Sequence, residues 1–305
     1  MNQTIKRRIG GTTIVACLIF MFIFAIINNL PQYEIRTSSS AEKEILDDIG
    51  IAILVDWKLK KAMEDLISGM LPSIKHFKPM HIVLFSESDV SSDYQRRVRQ
   101  VTNHTIHFIL IEFNFPKDFD VNMPSPVKKS NRRSKWGYMH MCEFWFKHIW
   151  HNPLTQKFRY LMRFDTDSCF LNQKYKLEYN DSLVYLHGLF TWEGAYITDL
   201  RKHILDYVSK YNIEPKNPAM FKVIQDNPSK LPMYYNNIEI VKIAFMLKKE
   251  VQHFTDYMQA TKGQFLYRWG DAPLRYATLA LFSKPTEITA LDLKGSYKHS
   301  CNGGY

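Results

Sequence analysis

The sequence predicts an α/β domain built on a largely parallel sheet, and three observations carry that reading. Short apolar runs recur along the chain, stretches of helical periodicity lie between them, and no internal repeat interrupts the alternation. The composition agrees. With 305 residues, 46% hydrophobic and 23% charged, the chain is too apolar to be disordered, and 4 cysteines are too few for a disulfide-stapled miniprotein.

The N-terminus comes first. Lys6, Arg7 and Arg8 open the chain, and no further charged side chain occurs before Glu34. Residues 14–27 are almost wholly apolar, so 10–30 reads as a transmembrane helix about long enough to cross a hydrocarbon core of ~30 Å. A cleaved signal peptide shares the basic start, but Asn28-Asn29-Leu30-Pro31 lacks the small residues of a cleavage site. A buried core helix is the blander alternative. The signal-anchor reading keeps residues 1–9 as a cytoplasmic tail and sends the bulk of the chain to the lumen, as a single-pass type II protein of the Golgi or ER membrane. Residues 31–45 are polar and Ser-rich and read as a stem, leaving 46–305 as the lumenal domain.

Within that domain 51–55 is a buried-strand run, and 58–70 spaces Leu59, Met63, Leu66 and Met70 as a helix face. Further strands are expected at 81–85, 107–113, 158–164 and 183–190, with helices at 138–150, 197–208, 238–260 and 272–282. The clearest chemistry follows 158–164, where an apolar strand runs into Asp165-Thr166-Asp167. Side chains two apart in extended backbone point the same way, so both carboxylates can serve one site. They are suitable ligands for Mn²⁺ or Mg²⁺, which in turn can bind a diphosphate. Solvated acids in a strand-ending turn are the plain alternative.

Charge points the same way. There are 40 basic and 30 acidic residues; without residues 1–33 the balance is 37 to 30, or +7, which suits acidic ligands such as nucleotide phosphates. Lys128, Lys129, Arg132, Arg133 and Lys135 crowd one polar stretch, read as a solvated loop or a cover over donor phosphates. A lumenal site argues against a nucleic-acid partner. Asn103-His104-Thr105 and Asn180-Asp181-Ser182 fit the N-glycosylation pattern. Cys142, Cys169 and Cys301 allow one bridge plus one free or intermolecular thiol.

Several motifs together resemble the fungal Golgi α-1,2-mannosyltransferase family: YMHMC at 138–142, FRYLMRFDTDS at 158–168, YNNIEIVKIAF at 235–245, YRWGDAP at 267–273 and GSYKH at 295–299. The resemblance runs from about residue 50 to the end, and the six-residue string from Arg268 to Pro273 is its most specific part. It implies a GT-A-like nucleotide-sugar transferase fold, a GDP-mannose donor, a Mn²⁺ ion, retention of anomeric configuration and a mannose-bearing glycan as acceptor. By match to the family's motifs, Asp165, Asp167 and His299 are implied at the metal. Glu239 is implied as the nucleophile or the group that stabilises the sugar cation, an exposed helix-starting Glu being the alternative. Tyr138, Arg268 and Asp271 are implied at the substrate. The chain departs from the family at four places. Asp165-Thr166-Asp167 replaces Glu-Pro-Asp, and Glu143 stands where an Arg is usual. Asp56-Trp57-Lys58 and Pro232-Met233-Tyr234-Tyr235 also differ from the usual residues near the donor and before the Glu segment. These changes leave two alternatives: another nucleotide-sugar donor, or a catalytically silent lumenal glycan-binding protein.

Overall fold

The computed structural model describes residues 45–56, 58, 60–122, 136–172, 177, 179–293 and 295–299. The expected tail, transmembrane helix and most of the stem, the basic stretch at 128–135 and Cys301 lie outside the described residues. Among the described residues no helix is long and apolar enough to cross a membrane.

The chain begins with β1 (Asp47–Leu54), α1 (Lys60–Glu64), a π-helical stretch (Asp65–Met70) and a last turn (Leu71–Ser73). It continues through β2 (His81–Ser86), α2 (Ser92–Gln100), β3 (Thr105–Leu110), α3 (Trp136–Phe146) and β4 (Phe158–Phe164). Then follow β5 (Ser168–Phe170), β6 (Tyr185–His187), β7 (Phe190–Glu193), α4 (Leu200–Lys210), α5 (Pro218–Asp226) and β8 (Leu231–Tyr234). The last part holds β9 (Ile238–Lys242), α6 (Ile243–Met246), α7 (Lys249–Ala260), α8 (Gly263–Tyr267), α9 (Asp271–Phe282), β10 (Ile288–Ala290) and β11 (Tyr297–His299).

Seven strands form the central sheet in the order β10-β6-β9-β4-β1-β2-β3. The pairs β1·β2, β1·β4, β2·β3 and β10·β6 are parallel, while β9 runs antiparallel to both β4 and β6. The α/β, mostly parallel expectation therefore holds. Alternation along the strands divides the core between the two faces: Ile51, Ile53, Ile82, Leu84 and Met162 pack with Met63, Leu66 and Met70 on one side. Ala52, Val83, Phe85 and Leu161 pack with Phe144, Trp145 and the α9 side chains on the other.

The structure corrects two expected elements. The helix predicted over 238–260 is instead strand β9 followed by α6 and α7. Ile238 and Ile240 enter one core while Val241 enters the other, so both faces of the segment are buried. A run apolar on both faces fits a central strand as well as a helix, and periodicity alone does not separate them. The strand expected over 183–190 is split: β6 belongs to the central sheet, whereas β7 pairs with β8 in a separate hairpin. Cys142 is free and buried, and Cys169 is disulfide-bonded.

Candidate active site

Because β2 and β3 lie on one side of β1 and β4 on the other, the chain reverses its winding between β1 and β4. In α/β sheets such a switch point opens a crevice beyond the carboxyl ends of the strands, and ligands bind there. A cleft of about 580 Å³ occupies this place. Leu54 at the end of β1 and Asp165, Thr166 and Asp167 just past β4 line it, with His299 beside them. Lys58, Lys60 and Lys61 line it as well, Lys61 paired with Asp65 at 2.8 Å, so three acids share the cleft with a basic margin.

The pairing of β5 with β11 places His299 opposite Ser168 and so brings it to the Asp165–Asp167 turn. His299 Nε2 lies 3.1 Å from Asp167 Oδ1. Asn237 Nδ2 donates to Asp165 Oδ2 at 2.6 Å and lies 2.8 Å from His299 Nε2, linking the two. Burial would raise the Asp167 carboxyl, but the hydrogen bond and charge of His299 outweigh it and hold it below its ordinary value. The same contact raises His299. Desolvation on the cleft floor raises Asp165, with the Arg163 guanidinium opposing it. Two carboxylates and an imidazole are a donor set that suits Mn²⁺. Among the described residues, however, no three His, Cys, Asp or Glu side chains converge as a ready-made cage. The expected metal residues are thus assembled at one cleft, held by hydrogen bonds through Asn237.

Behind them lies a layer of buried charge. Strand register puts Arg163 beside Glu239, and Arg163 donates to Asp165 Oδ1 at 3.2 Å and to Asp271 Oδ2 at 2.6 Å. Trp145 stacks beneath its guanidinium at 4.4 Å. Asn236 also donates to Asp271. Glu239 is 1% exposed, and its Oε2 accepts from the Tyr185 hydroxyl at 2.7 Å and lies 3.4 Å from Arg275 Nε. Its Oε1 is buried without a hydrogen-bond partner. Glu239 is therefore neither exposed nor at a helix start: it is a buried strand residue, and it does not line the cleft that holds Asp165.

The segment from Arg268 to Pro273 is a turn fitted around aromatic rings. Arg268 adopts a left-handed backbone (φ 61) and its guanidinium sits between the Tyr138 and Tyr196 rings, at 4.0 and 3.8 Å. Trp269 is fully buried and packs on Gly263, where an added Cβ would meet its ring at 2.1 Å. Gly270 then caps α9, so that Asp271 starts the helix facing Arg163. Tyr138, Arg268 and Asp271 thus do not line the described cleft; Asp271 is tied to it through Arg163. Arg163, Asn236, Asn237, Tyr185 and Arg275 were not expected at all. Arg163 left no signal of its own: it shares one face of β4 with Arg159, four residues earlier, which is exposed.

Comparison with known proteins identifies the family and the fold. The family model of the glycolipid 2-alpha-mannosyltransferases matches residues 74–302, and the chain belongs to that family. Probable mannosyltransferase KTR4 of Saccharomyces cerevisiae is 25% identical over 170 residues, 50% of this chain and 36% of that protein. O-glycoside alpha-1,2-mannosyltransferase homolog 5 of Schizosaccharomyces pombe is 24% identical over 272 residues, 74% of this chain and 63% of that protein. The chain thus spans from about a third to under two-thirds of the length of these relatives. Among solved structures, core-mannan synthase A of Aspergillus fumigatus, in a form with Mn and GDP, superposes with a TM-score of 0.71 at 14% identity, over 85% of this chain and 78% of that one. Ktr4p of S. cerevisiae in complex with GDP gives 0.70 at 20% identity, over 85% and 72%. These likenesses show the fold.

Proposed function

We propose that the protein is a retaining mannosyltransferase of GT-A type, moving mannose from GDP-mannose to a hydroxyl of a mannose-bearing glycan, from a type II anchor in the Golgi or ER membrane. One observation carries the reading: Asp167 and His299, 132 positions apart, meet at 3.1 Å beside Asp165 in the switch-point cleft, opposite three lysines.

Asp165, Asp167 and His299 would hold Mn²⁺, which when bound supplies positive charge to the diphosphate of the departing GDP. Lys58, Lys60 and Lys61 add positive charge at the same face, beside Asp65. Asn237 keeps Asp165 and His299 oriented, in the manner of an outer-shell ligand partner. Arg163 fixes Asp165 and Asp271 relative to each other, and Asp271 receives sugar hydroxyls at the α9 N-terminus. Glu239 presents its negative charge to the sugar cation from behind Arg163. Its burial and its bonds to Tyr185 and Arg275 favour electrostatic stabilisation over direct attack.

Incubating the full-length protein in detergent with Mn²⁺, a panel of nucleotide sugars and an α-mannoside acceptor tests the proposal. Mannose transfer from GDP-mannose, abolished by chelator, is expected. Turnover of a different nucleotide sugar, or glycan binding without turnover of any donor, would replace it with one of the two alternatives.

A further inference from the structure

A second cleft lies on the opposite face of α3 from Met141 and Trp145. It measures about 310 Å³ and is bounded by the segment leaving β3 and by α3 and α7. His140 and Glu143, three residues apart on α3, both line it and are 7% and 3% exposed. Gln259 donates to Glu143 Oε1 at 2.8 Å, and His148 Nε2 stands 3.5 Å from Oε2. Lys147 in turn reaches the Gln259 carbonyl oxygen. The His140 ring packs among Phe113, stacked at 5.4 Å, Phe115, edge-on at 4.6 Å, and Phe265 at 4.9 Å, with the charges of Glu143 and His148 near it. On the wall of an open cleft, this imidazole presents a donor and an acceptor to whatever fills it.

The lining selects among ligand classes. Glu112 and Glu143 put two carboxylates on the cleft, which disfavours phosphate or another anion. What remains is an uncharged, hydroxyl-rich ligand with an apolar face. Glu143 offers an acceptor, Asn114 offers both donor and acceptor, and Phe113, Phe115 and Pro116 offer apolar surface. Burial lowers His140, so its imidazole is neutral near pH 7 and can donate from one nitrogen and accept at the other.

We propose that this cleft is a sugar-binding site separate from the switch-point cleft, taking one pyranose unit of a glycan with its hydroxyls on His140, Glu143 and Asn114. That the glycan is the acceptor of the transfer rests on the proposed function; the binding itself does not. The test is saturation-transfer NMR of α-1,2-mannobiose with the full-length protein in detergent, beside GDP binding as a measure of the other cleft. Wild type binds, and His140→Phe and Glu143→Ala each weaken the disaccharide at least fivefold with GDP affinity unchanged. His148→Ala, at a half-exposed position that folding tolerates, weakens it about twofold and keeps the test valid if the buried variants fail to fold. Absence of binding in wild type, or wild-type affinity in the variants that fold, overturns the proposal. So does Zn²⁺ binding that is lost in His140→Phe, which would make the cleft a metal site.

Discussion

Two layers of charge meet at the end of β4, and they are built to opposite rules. Asp165, Asp167 and His299 stand partly open to the cleft, each with a partner that a ligand can displace or join. Arg163, Glu239, Asp271 and Arg275 lie behind them, all at 5% exposure or less and locked in mutual ion pairs. Open charges exchange partners at modest cost, whereas a buried pair that loses one member leaves the other uncompensated. The contrast separates binding from framework. Substitutions in the outer layer should change ligand affinity and leave the fold alone, and substitutions in the inner layer should do both.

The largest effect is expected where the two layers meet. Asp167→Ala removes a metal ligand and should lower mannose transfer by on the order of a hundredfold or more, with an unchanged melting temperature. A fall in melting temperature of equal weight would move Asp167 into the framework layer. Glu239→Gln should reduce kcat far more than it raises KM, since the charge acts on the transition state. It should also destabilise the fold by about 3 kcal/mol, because Arg275 loses its buried partner. Near-normal turnover with that stability loss would make Glu239 framework alone.

Asn237→Ala lies between the layers. It should weaken Mn²⁺ binding about tenfold, as outer-shell partners of metal ligands do, while kcat at saturating Mn²⁺ stays close to normal. Calorimetric titration of Mn²⁺ in the presence of GDP reads this directly, and an unchanged affinity would remove Asn237 from the metal site.

The smallest effect concerns stability alone and lies far from both layers. His104 accepts from the Met80 N–H at Nδ1 and places Nε2 against the Ile74 carbonyl, so the neutral ring is the one that fits. Burial lowers its pKa in the fold, so the unfolded chain binds the proton first as pH falls below about 6.5. Stability present above that pH should therefore diminish as the solution is acidified. Thermal melts at pH 7.5 and 5.5 should show a smaller loss in His104→Gln than in wild type, and an equal loss would free His104 of the effect.

Much of this architecture can be read from residues. Strand β4 falls where the apolar run predicts it, and the Asp165–Asp167 pair sits at its carboxyl end, in a turn and not the extended backbone expected. Local pattern suffices there because the signal is local. Segment 238–242 misleads for the converse reason: the β-branched Ile238, Ile240 and Val241 favour a strand, but the apolar run continues into α6, and pairing with β4 and β6 decides where the strand ends. Arg275 hides in the same way. On a helix it reads as a solvated charge, yet its guanidinium is buried over Trp150 at 4.6 Å and against Glu239. Pairings between distant segments, such as Asp167 with His299, follow from strand register, which local periodicity does not encode.

The central claim is that Asp165, Asp167 and His299 form one divalent-metal centre that serves a nucleoside diphosphate. Titrating Mn²⁺ into the full-length protein with and without GDP, and following the free-ion signal by electron paramagnetic resonance, tests it most directly. The account predicts a single Mn²⁺ site that tightens when GDP is present and is lost in the Asp167→Ala, His299→Ala double variant, with the melting temperature of the metal-free protein preserved. Unchanged Mn²⁺ uptake in that double variant, with or without GDP, would contradict it.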